Sequence, residues 1–184
     1  RVYGGYSAEI KVRSATKRSV GKASVKVSDQ VWTGKVLKPA VTVKDGNVTL
    51  KKDRDYTVSY SANKGIGTAK VTVTGKGSYT GKITKTFKIN PQGQSISAKG
   101  DKSGKKIAVT LAKHSSNSGY QVSYADNSGF KNSKSLWLSG NSKNKGTIKG
   151  LKSKKTYYVK ARDYKTIGKT KVYGKWSAVK KVSI

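Results

Sequence analysis

The chain has 184 residues, of which 40 are Lys or Arg, 8 are Asp or Glu and none is Cys, so its formal net charge is +32. The lack of Cys excludes disulfides, thiolate catalysis and thiolate metal sites. No run of apolar residues is long enough to cross a bilayer, so no membrane insertion is expected. A protein with this charge repels itself and favours anionic partners.

The positive charge comes almost entirely from lysine, because only Arg1, Arg13, Arg18, Arg54 and Arg162 are arginines. Lysine ammonium groups are hydrated point charges, whereas bidentate recognition of phosphate or guanine prefers guanidinium. The lysines are also spread along the whole chain. This pattern favours nonspecific attraction to polyanions over reading of a nucleic-acid sequence, and the alternative is that the charge serves solubility or an anionic setting.

The two ends of the chain are similar to each other. Since a repeated pattern is typical of modular chains, we expect residues 1–14 to be the terminal strand of a preceding module, followed by a linker at residues 15–21. The chain also begins without Met, so we expect a mature or excised segment. The matching pairs are Val2 and Val172, Tyr3 and Tyr173, Gly4 and Gly174, Ser7 and Ser177, Ala8 and Ala178, and Val12 and Val182, with Tyr6 at the position of Trp176.

Short segments of alternating apolar and polar residues follow the linker, and turn sequences separate them. Alternation of this kind is typical of half-buried strands. Residues 91–94, which contain Pro91 and Gly93, form the clearest boundary between domains. The pattern predicts an all-β protein with domains at residues 22–91 and 92–184. The expected strand centres are Val25, Val43, Val58, Val71, Ile83 to Ile89, Val109, Val122, Leu136 to Leu138, Ile148 and Val159.

The second domain has about seven strands in about ninety residues, which is typical of an immunoglobulin-like sandwich. Residues 150–161 and 173–177 resemble the second half of a bacterial fibronectin type III domain. The resemblance implies a tyrosine corner at Tyr157, preceded by Leu151, and a final strand opened by Gly174 and Ser177. The second strand lacks the family's usual Trp, so Trp137 or Trp176 is expected to fill that volume.

The first domain resembles a bacterial Ig-like repeat. The resemblance lies in residues 32–35, 39–46, 50–60 and 75–89, which include Trp32, Pro39, Tyr56 and Phe87. Together the two resemblances imply two tandem Ig-like and fibronectin type III-like β-sandwiches joined by a short linker. Modules of these types alternate on surface proteins of Gram-positive bacteria, so the implied location is extracellular, at the bacterial cell surface or cell wall.

Catalysis is not expected from the residues available. The single His, His114, is expected to be an exposed loop residue, because adjacent serines rarely form a triad with it. Asp53 and Asp55, the closest pair of carboxylates, fit turn chemistry beside Arg54 better than a glycosidase site. Too few ligands are present for a zinc or calcium site, and no phosphate-binding loop is found. No cofactor is expected.

One strand offers a candidate binding surface. Tyr158, Lys160 and Arg162 lie on the parity opposite to the inward Tyr157, so they form a possible aromatic and cationic strip. Lys152, Lys154 and Lys155 precede that strand and extend the candidate polyanion site. Packing of the strip against a neighbouring strand is the alternative.

The sequence favours a non-catalytic stalk or scaffold segment of a bacterial surface protein, whose lysines associate with anionic wall polymers such as teichoic acid. Neighbouring modules of the same chain are further expected partners. Two rival hypotheses stay open at this point. One is an adhesin module that binds host glycosaminoglycans or nucleic acid, and the other is an accessory region of a secreted enzyme.

Overall fold

The computed structural model describes residues 16–184, in which the elements are strands apart from one turn of 3-10 helix at Val20–Lys22. The prediction of an all-β protein is thereby confirmed. No helix in this part of the chain has the length and apolar character needed to span a membrane. The predicted terminal strand at residues 1–14 lies outside the described residues.

Nine strands precede Pro91, and eight follow it in the described part of the chain. The first nine are β1 (Arg18–Ser19), β2 (Ser24–Val27), β3 (Gln30–Val31), β4 (Val41–Asp45), β5 (Val48–Thr49), β6 (Tyr56–Ser61), β7 (Gly67–Gly75), β8 (Tyr79–Thr80) and β9 (Lys82–Asn90). The others are β10 (Ile96–Asp101), β11 (Lys106–Leu111), β12 (Gly119–Ala125), β13 (Lys134–Ser139), β14 (Lys145–Ile148), β15 (Thr156–Ile167), β16 (Thr170–Tyr173) and β17 (Lys180–Ser183).

The described residues divide into two compact units. The first contains residues 16–26, Val41–Ser59 and Val71–Lys85, and the second contains Val27–Ala40, Tyr60–Lys70 and Thr86–Ile184. This division follows compactness in space. The boundaries at 22–91 and 92–184 follow sequence similarity and stay a prediction.

The core of the first unit includes part of the expected linker at residues 15–21, whose bounds stay a prediction. Arg18 and Ser19 pair in parallel with Tyr79 and Thr80, and Val20 is completely buried. A single apolar side chain is enough to anchor a short segment. Such a segment shows no periodicity, so its sequence does not indicate that it is buried. The core cluster consists of Val20, Ala23, Val43, Leu50, Tyr56, Val73 and Tyr79.

The second unit contains a complete β-sandwich. One sheet has the order β10-β11-β14, and the other has the order β13-β12-β15-β16, with β17 also paired to β15. Alternate side chains of both sheets point inward and bury a shared apolar core, as expected for such sandwiches. The buried cluster consists of Ile96, Ile107, Val109, Leu111, Tyr120, Val122, Ile148, Leu151, Tyr157, Val159, Ala161, Val182 and Ile184.

The tyrosine corner expected in this sandwich is present, whereas the final strand β17 begins at Lys180, after Gly174 and Ser177. The hydroxyl of Tyr157 accepts a hydrogen bond of 2.9 Å from the backbone N–H of Lys152, which is the contact of a tyrosine corner. At the start of the closing segment, the Gly174 N–H donates to the Asp163 carbonyl at 3.0 Å. A Cβ on Gly174 would lie 2.3 Å from the Gln92 carbonyl oxygen, so the close approach requires glycine.

The expectation that Trp137 or Trp176 fills the core is wrong. Trp137 is 43% exposed, and Trp176 lies half-buried outside the buried cluster. The largest fully buried side chain is instead Tyr120. Its hydroxyl donates to the Asn141 carbonyl at 2.7 Å, so a ring with a polar tip reaches through the core to the loop beyond it.

Candidate functional site: an aromatic and cationic sheet face

Strand β15 separates the interior of the second sandwich from the candidate surface. Its burial alternates along the chain, with Tyr157 and Val159 buried and Tyr158, Lys160 and Arg162 partly exposed. Since successive side chains of a strand point to opposite faces, the three predicted residues share the outer face of the five-stranded sheet. Their predicted parity is confirmed, whereas a binding role stays a prediction.

The cations of this face are stacked between aromatic rings. The Lys160 ammonium lies 3.9 Å from the ring centre of Phe130 and 4.9 Å from that of Trp176. The Arg162 guanidinium lies 4.3 Å from Trp176 and 3.6 Å from Tyr173. Cations at these distances over ring faces are attracted by the ring quadrupole. We call these five residues the cation ladder.

Several elements hold the ladder together. Strand β15 supplies both cations, β16 ends at Tyr173, and the segment between β16 and β17 supplies Trp176. The Arg162 Nε donates to Gln121 Oε1 at 2.8 Å, from the directly opposite residue of β12. Burial lowers the pKa of Arg162 from its ordinary value, yet a guanidinium in a protein keeps its charge. Arg162 is therefore a positioned cation with its partners already in place.

A second aromatic group lies on the same sheet face. Trp137 contacts Tyr164 edge to face, with ring centres 5.5 Å apart and an angle of 73° between the planes. The Lys171 ammonium lies 5.6 Å from the Trp137 ring and 5.7 Å from the Tyr164 ring. We call these three residues the Trp137 corner.

Gly119 makes the Trp137 corner possible. A Cβ at this position would lie 2.2 Å from the Leu138 carbonyl oxygen and 2.7 Å from the Tyr164 hydroxyl. The backbone φ of Gly119 is +152°, a value that residues with a side chain rarely adopt. Because glycine leaves this space open, Tyr164 lies across β12 and is only 5% exposed. The buried Tyr164 ring fixes the orientation of Trp137 above it.

The remaining predicted residues lie in the turn before β15. Lys152, Lys154 and Lys155 are exposed, and no carboxylate among the described residues contacts their ammonium groups. Lys154 and Lys155 line an open depression of about 460 Å³ together with Lys102. Lys152 does not line it. The structure thus brings Lys160 and Arg162 together through Trp176, and Lys154 and Lys155 together in the turn.

Few cations of the described chain are neutralised by acids. Among residues 16–184, the Lys and Arg side chains that contact a carboxylate are Arg18, Lys52, Arg54 and Lys106. The shortest of these contacts join Arg18 to Asp45 and Arg54 to Asp55, each at 2.8 Å. The other lysines of this part present uncompensated charge to solvent or to rings.

The expectation that His114 is an exposed loop residue is wrong. Its ring is 17% exposed, and Nδ1 lies 2.6 Å from Oδ2 of Asp163, which is completely buried. The Gln94 amide donates to Asp163 Oδ1 at 2.7 Å and to the Ala112 carbonyl at 3.1 Å. Burial raises the pKa of Asp163, and the hydrogen bonds from His114 and Gln94 partly oppose that rise. The pair ties a loop to β15.

The buried pair has two members of a catalytic triad but no visible third. Within the described residues, no hydroxyl hydrogen-bonds to the other ring nitrogen of His114. A triad needs a nucleophile that the histidine can deprotonate. In the same part of the chain, no three His, Cys, Asp or Glu side chains come together in a way that could hold a metal ion. The contacts fit a structural role, in which the pair holds the loop against β15.

Sequence reasoning missed most aromatic members of the site. Phe130 lies in a loop without a periodic pattern, and Trp137 lies on the predicted strand at residues 136–138, where the sequence offered it as a core residue. Tyr173 and Trp176 did have a signal, because both fall in the segment that the two chain ends share and both match aromatic residues there. Aromatic residues repeated beside a strand with outward cations are the pattern that would have indicated the ladder.

No protein-family model and no curated protein matches this chain. Solved structures match it by fold. A segment of two fibronectin type III domains from chicken tenascin has a TM-score of 0.59 and 13% identity, and the match covers 88% of this chain and 98% of that one. A cytokine receptor complex has a TM-score of 0.51 and 15% identity, with 87% and 96% covered.

The three-domain segment FN1–FN3 of chicken CNTN1 has a TM-score of 0.44 and 14% identity, with 91% of this chain and 68% of that one covered. At these identities a match shows the fold alone. The chain therefore has the fold of tandem fibronectin type III-like β-sandwiches. The predicted Ig-like repeat and the predicted bacterial origin stay predictions.

Proposed function

We propose that the chain is a non-catalytic, extracellular segment of a bacterial surface protein that acts as a stalk or scaffold and associates with anionic wall polymers. Fibronectin type III-like domains are typically non-catalytic extracellular scaffold modules, which supports the scaffold role. The polymer association is argued from charge. A bacterial cell surface is the setting in which a cationic scaffold and teichoic acid would meet.

The observation that carries the proposal is the excess of unpaired lysine. The chain has a net charge of +32, and few cations of the described part have a carboxylate partner. A polyanion carries condensed counterions, and exposed ammonium groups that neutralise its charges release them. This release supplies free energy without any need for shape complementarity. The attraction is therefore broad in polymer type and sensitive to salt.

The test is a titration of the protein against poly(glycerol phosphate), heparin and double-stranded DNA at several salt concentrations. We expect all three to bind at low salt and the logarithm of each association constant to fall steeply and linearly with the logarithm of salt concentration. A neutral dextran of the same length is the control and should not bind. Saturable binding to a single polymer that is insensitive to salt would contradict the proposal.

A further inference from the structure

We infer that the Trp137 corner binds an acidic sugar residue, of the hexuronic acid type, within an anionic polysaccharide. The inference rests on the proposed function in one respect, namely that the ligand is a polyanion. It adds a defined subsite in which a sugar ring is recognised. The generic lysine surface and this subsite therefore make separate predictions.

Trp137 presents an exposed indole in a fixed orientation. Trp137 is 43% exposed, and among the large apolar side chains with similar exposure in the described chain it is the aromatic one. Its orientation is fixed by Tyr164, which is itself held in the space that Gly119 leaves open. An aromatic ring held in one orientation loses little conformational entropy when a ligand stacks on it. The C–H face of a pyranose ring provides an apolar surface of matching shape.

An unpaired positive charge lies beside the indole. Lys171 lies 5.6 Å from the Trp137 ring and contacts no carboxylate among the described residues. The nearest acid in β15, Asp163, points to the other face of the sheet and is bonded to His114 and Gln94. Strand β15 therefore presents no carboxylate on the outer face of the sheet. A carboxylate on the stacked sugar would pair with the Lys171 ammonium.

Polar side chains lie next to the indole on the same face of the sheet. Gln121 lies directly opposite Trp137 in the sheet, and its amide donates to the Ser135 hydroxyl at 3.0 Å. Ser135 is two residues before Trp137 on the same strand, so it shares the outer face. Its exposed hydroxyl can still donate to a ligand oxygen. Hydroxyl and amide groups at the edge of a ring platform suit sugar hydroxyls.

Single-stranded nucleic acid fits this surface less well. Such ligands stack successive bases on successive exposed rings along a groove. Here the next ring, Tyr164, is 5% exposed, and the faces of Trp176 are occupied by Lys160 and Arg162. One open ring beside one cation accommodates a single sugar residue. A poly(glycerol phosphate) chain has no ring to stack on Trp137 at all.

The experiment compares hyaluronan hexasaccharide, chitin hexasaccharide, poly(glycerol phosphate) and oligo(dT) as ligands for the wild-type protein and four variants. The variants are Trp137→Ala, Trp137→Phe, Lys171→Gln and, as a matched control outside the corner, Trp32→Ala. We expect Trp137→Ala to weaken hyaluronan binding about tenfold, the effect expected when a stacking ring is removed. Lys171→Gln should weaken hyaluronan and leave the weaker chitin binding unchanged. Trp32→Ala should bind as the wild type does.

Each other outcome overturns the inference. If hyaluronan does not bind the wild-type protein, or binds Trp137→Ala equally well, the subsite does not exist. If the subsite does not exist but poly(glycerol phosphate) still binds with a steep salt dependence, the proposed function holds without the subsite. If Trp137→Ala weakens oligo(dT) and spares hyaluronan, the corner is a nucleic-acid site. Trp137→Phe, which keeps a ring, should restore most of the affinity, and this distinguishes stacking from a general loss of folding.

Discussion

The predicted site contains two groups of positively charged side chains whose surroundings differ. Lys160 and Arg162 lie half-buried between aromatic rings, whereas Lys152, Lys154 and Lys155 are exposed in the preceding turn. A cation with rings on both sides stabilises the fold and has little left to offer a ligand. An exposed ammonium can neutralise a charge of a polyanion and so release the counterions condensed on that polymer. The predicted site therefore contains structural cations, which lie between aromatic rings, and free cations, which are exposed to solvent.

The largest effect on stability is expected at Asp163, which lies on β15 between the ladder residues and the inner face of the sheet. Asp163→Ala leaves the Gln94 amide and the His114 ring without their buried partner. Leaving a buried polar group without its hydrogen-bond partner costs about 1–3 kcal/mol of unfolding free energy, and here two groups lose that partner. Urea denaturation of the wild type and the variant measures the difference. The exposed Asp126→Asn is the control, and an Asp163→Ala variant of equal stability would show that the buried pair is dispensable.

The ladder itself is tested by Trp176→Ala, which removes the ring shared by Lys160 and Arg162. Removal of the indole and of both cation–π interactions should lower the unfolding free energy by about 3 kcal/mol. The more exposed Trp137→Ala should cost about 1 kcal/mol, because it removes mainly one edge-to-face interaction. Thermal and urea unfolding give both values. If the two variants are destabilised equally, the ladder is not a structural element.

A smaller effect is expected when the pH is lowered. It shows how much a carboxylate paired with a cation contributes to the unfolding free energy. Hydrogen bonds from Arg54 and from the Lys51 N–H lower the pKa of Asp55 from 3.8 to about 2. Because the folded pKa lies below the unfolded one, Asp55 stabilises the protein above pH 4 and loses this contribution as the pH falls towards 2. Asp163, whose pKa is raised, acts with the opposite sign.

Asp55→Asn should therefore be less stable than the wild type at neutral pH, and the difference should shrink between pH 4 and pH 2. Unfolding midpoints measured across that range test it. Asp101→Asn provides a second case in the other unit, since the pKa of Asp101 is also lowered to about 2 by hydrogen bonds from Gly104, Ser103 and Lys106. A difference that stays constant with pH for both variants would refute the assigned pKa values.

Much of the fold is predictable from the sequence because alternation along a strand dictates which side is buried. The inward Tyr157 and outward Arg162 follow directly from that rule. The burial of Val20 does not, because a single 3-10 turn after a two-residue strand is too short to show a period. The contact of His114 with Asp163 joins residues 49 positions apart, and nothing local in either segment marks the other. Long-range pairs of this kind depend on the tertiary fold.

Only the part of the candidate site that lies on a regular strand is predictable from the sequence, for the same reason. The cations Lys160 and Arg162 lie on a regular strand, so their shared face is a property of sequence spacing. Trp176 reaches that face because the chain bends between β16 and β17, where Gly174 packs against the Gln92 carbonyl. A bend that depends on such close packing has no periodic pattern. For this reason the sequence offers Trp176 as a core residue, whereas the structure places it outside the core.

The division into structural and free cations is tested most directly by the salt dependence of DNA binding in two variants. One is Lys152→Gln/Lys154→Gln/Lys155→Gln, and the other is Lys160→Gln/Arg162→Gln. The first should fold as the wild type does and show a shallower slope of log K against log salt, by up to about 0.9 for each phosphate that is no longer neutralised. The second should keep the wild-type slope and unfold at lower urea. The reverse result, an unchanged slope in the first variant and a reduced slope in the second, would contradict the account.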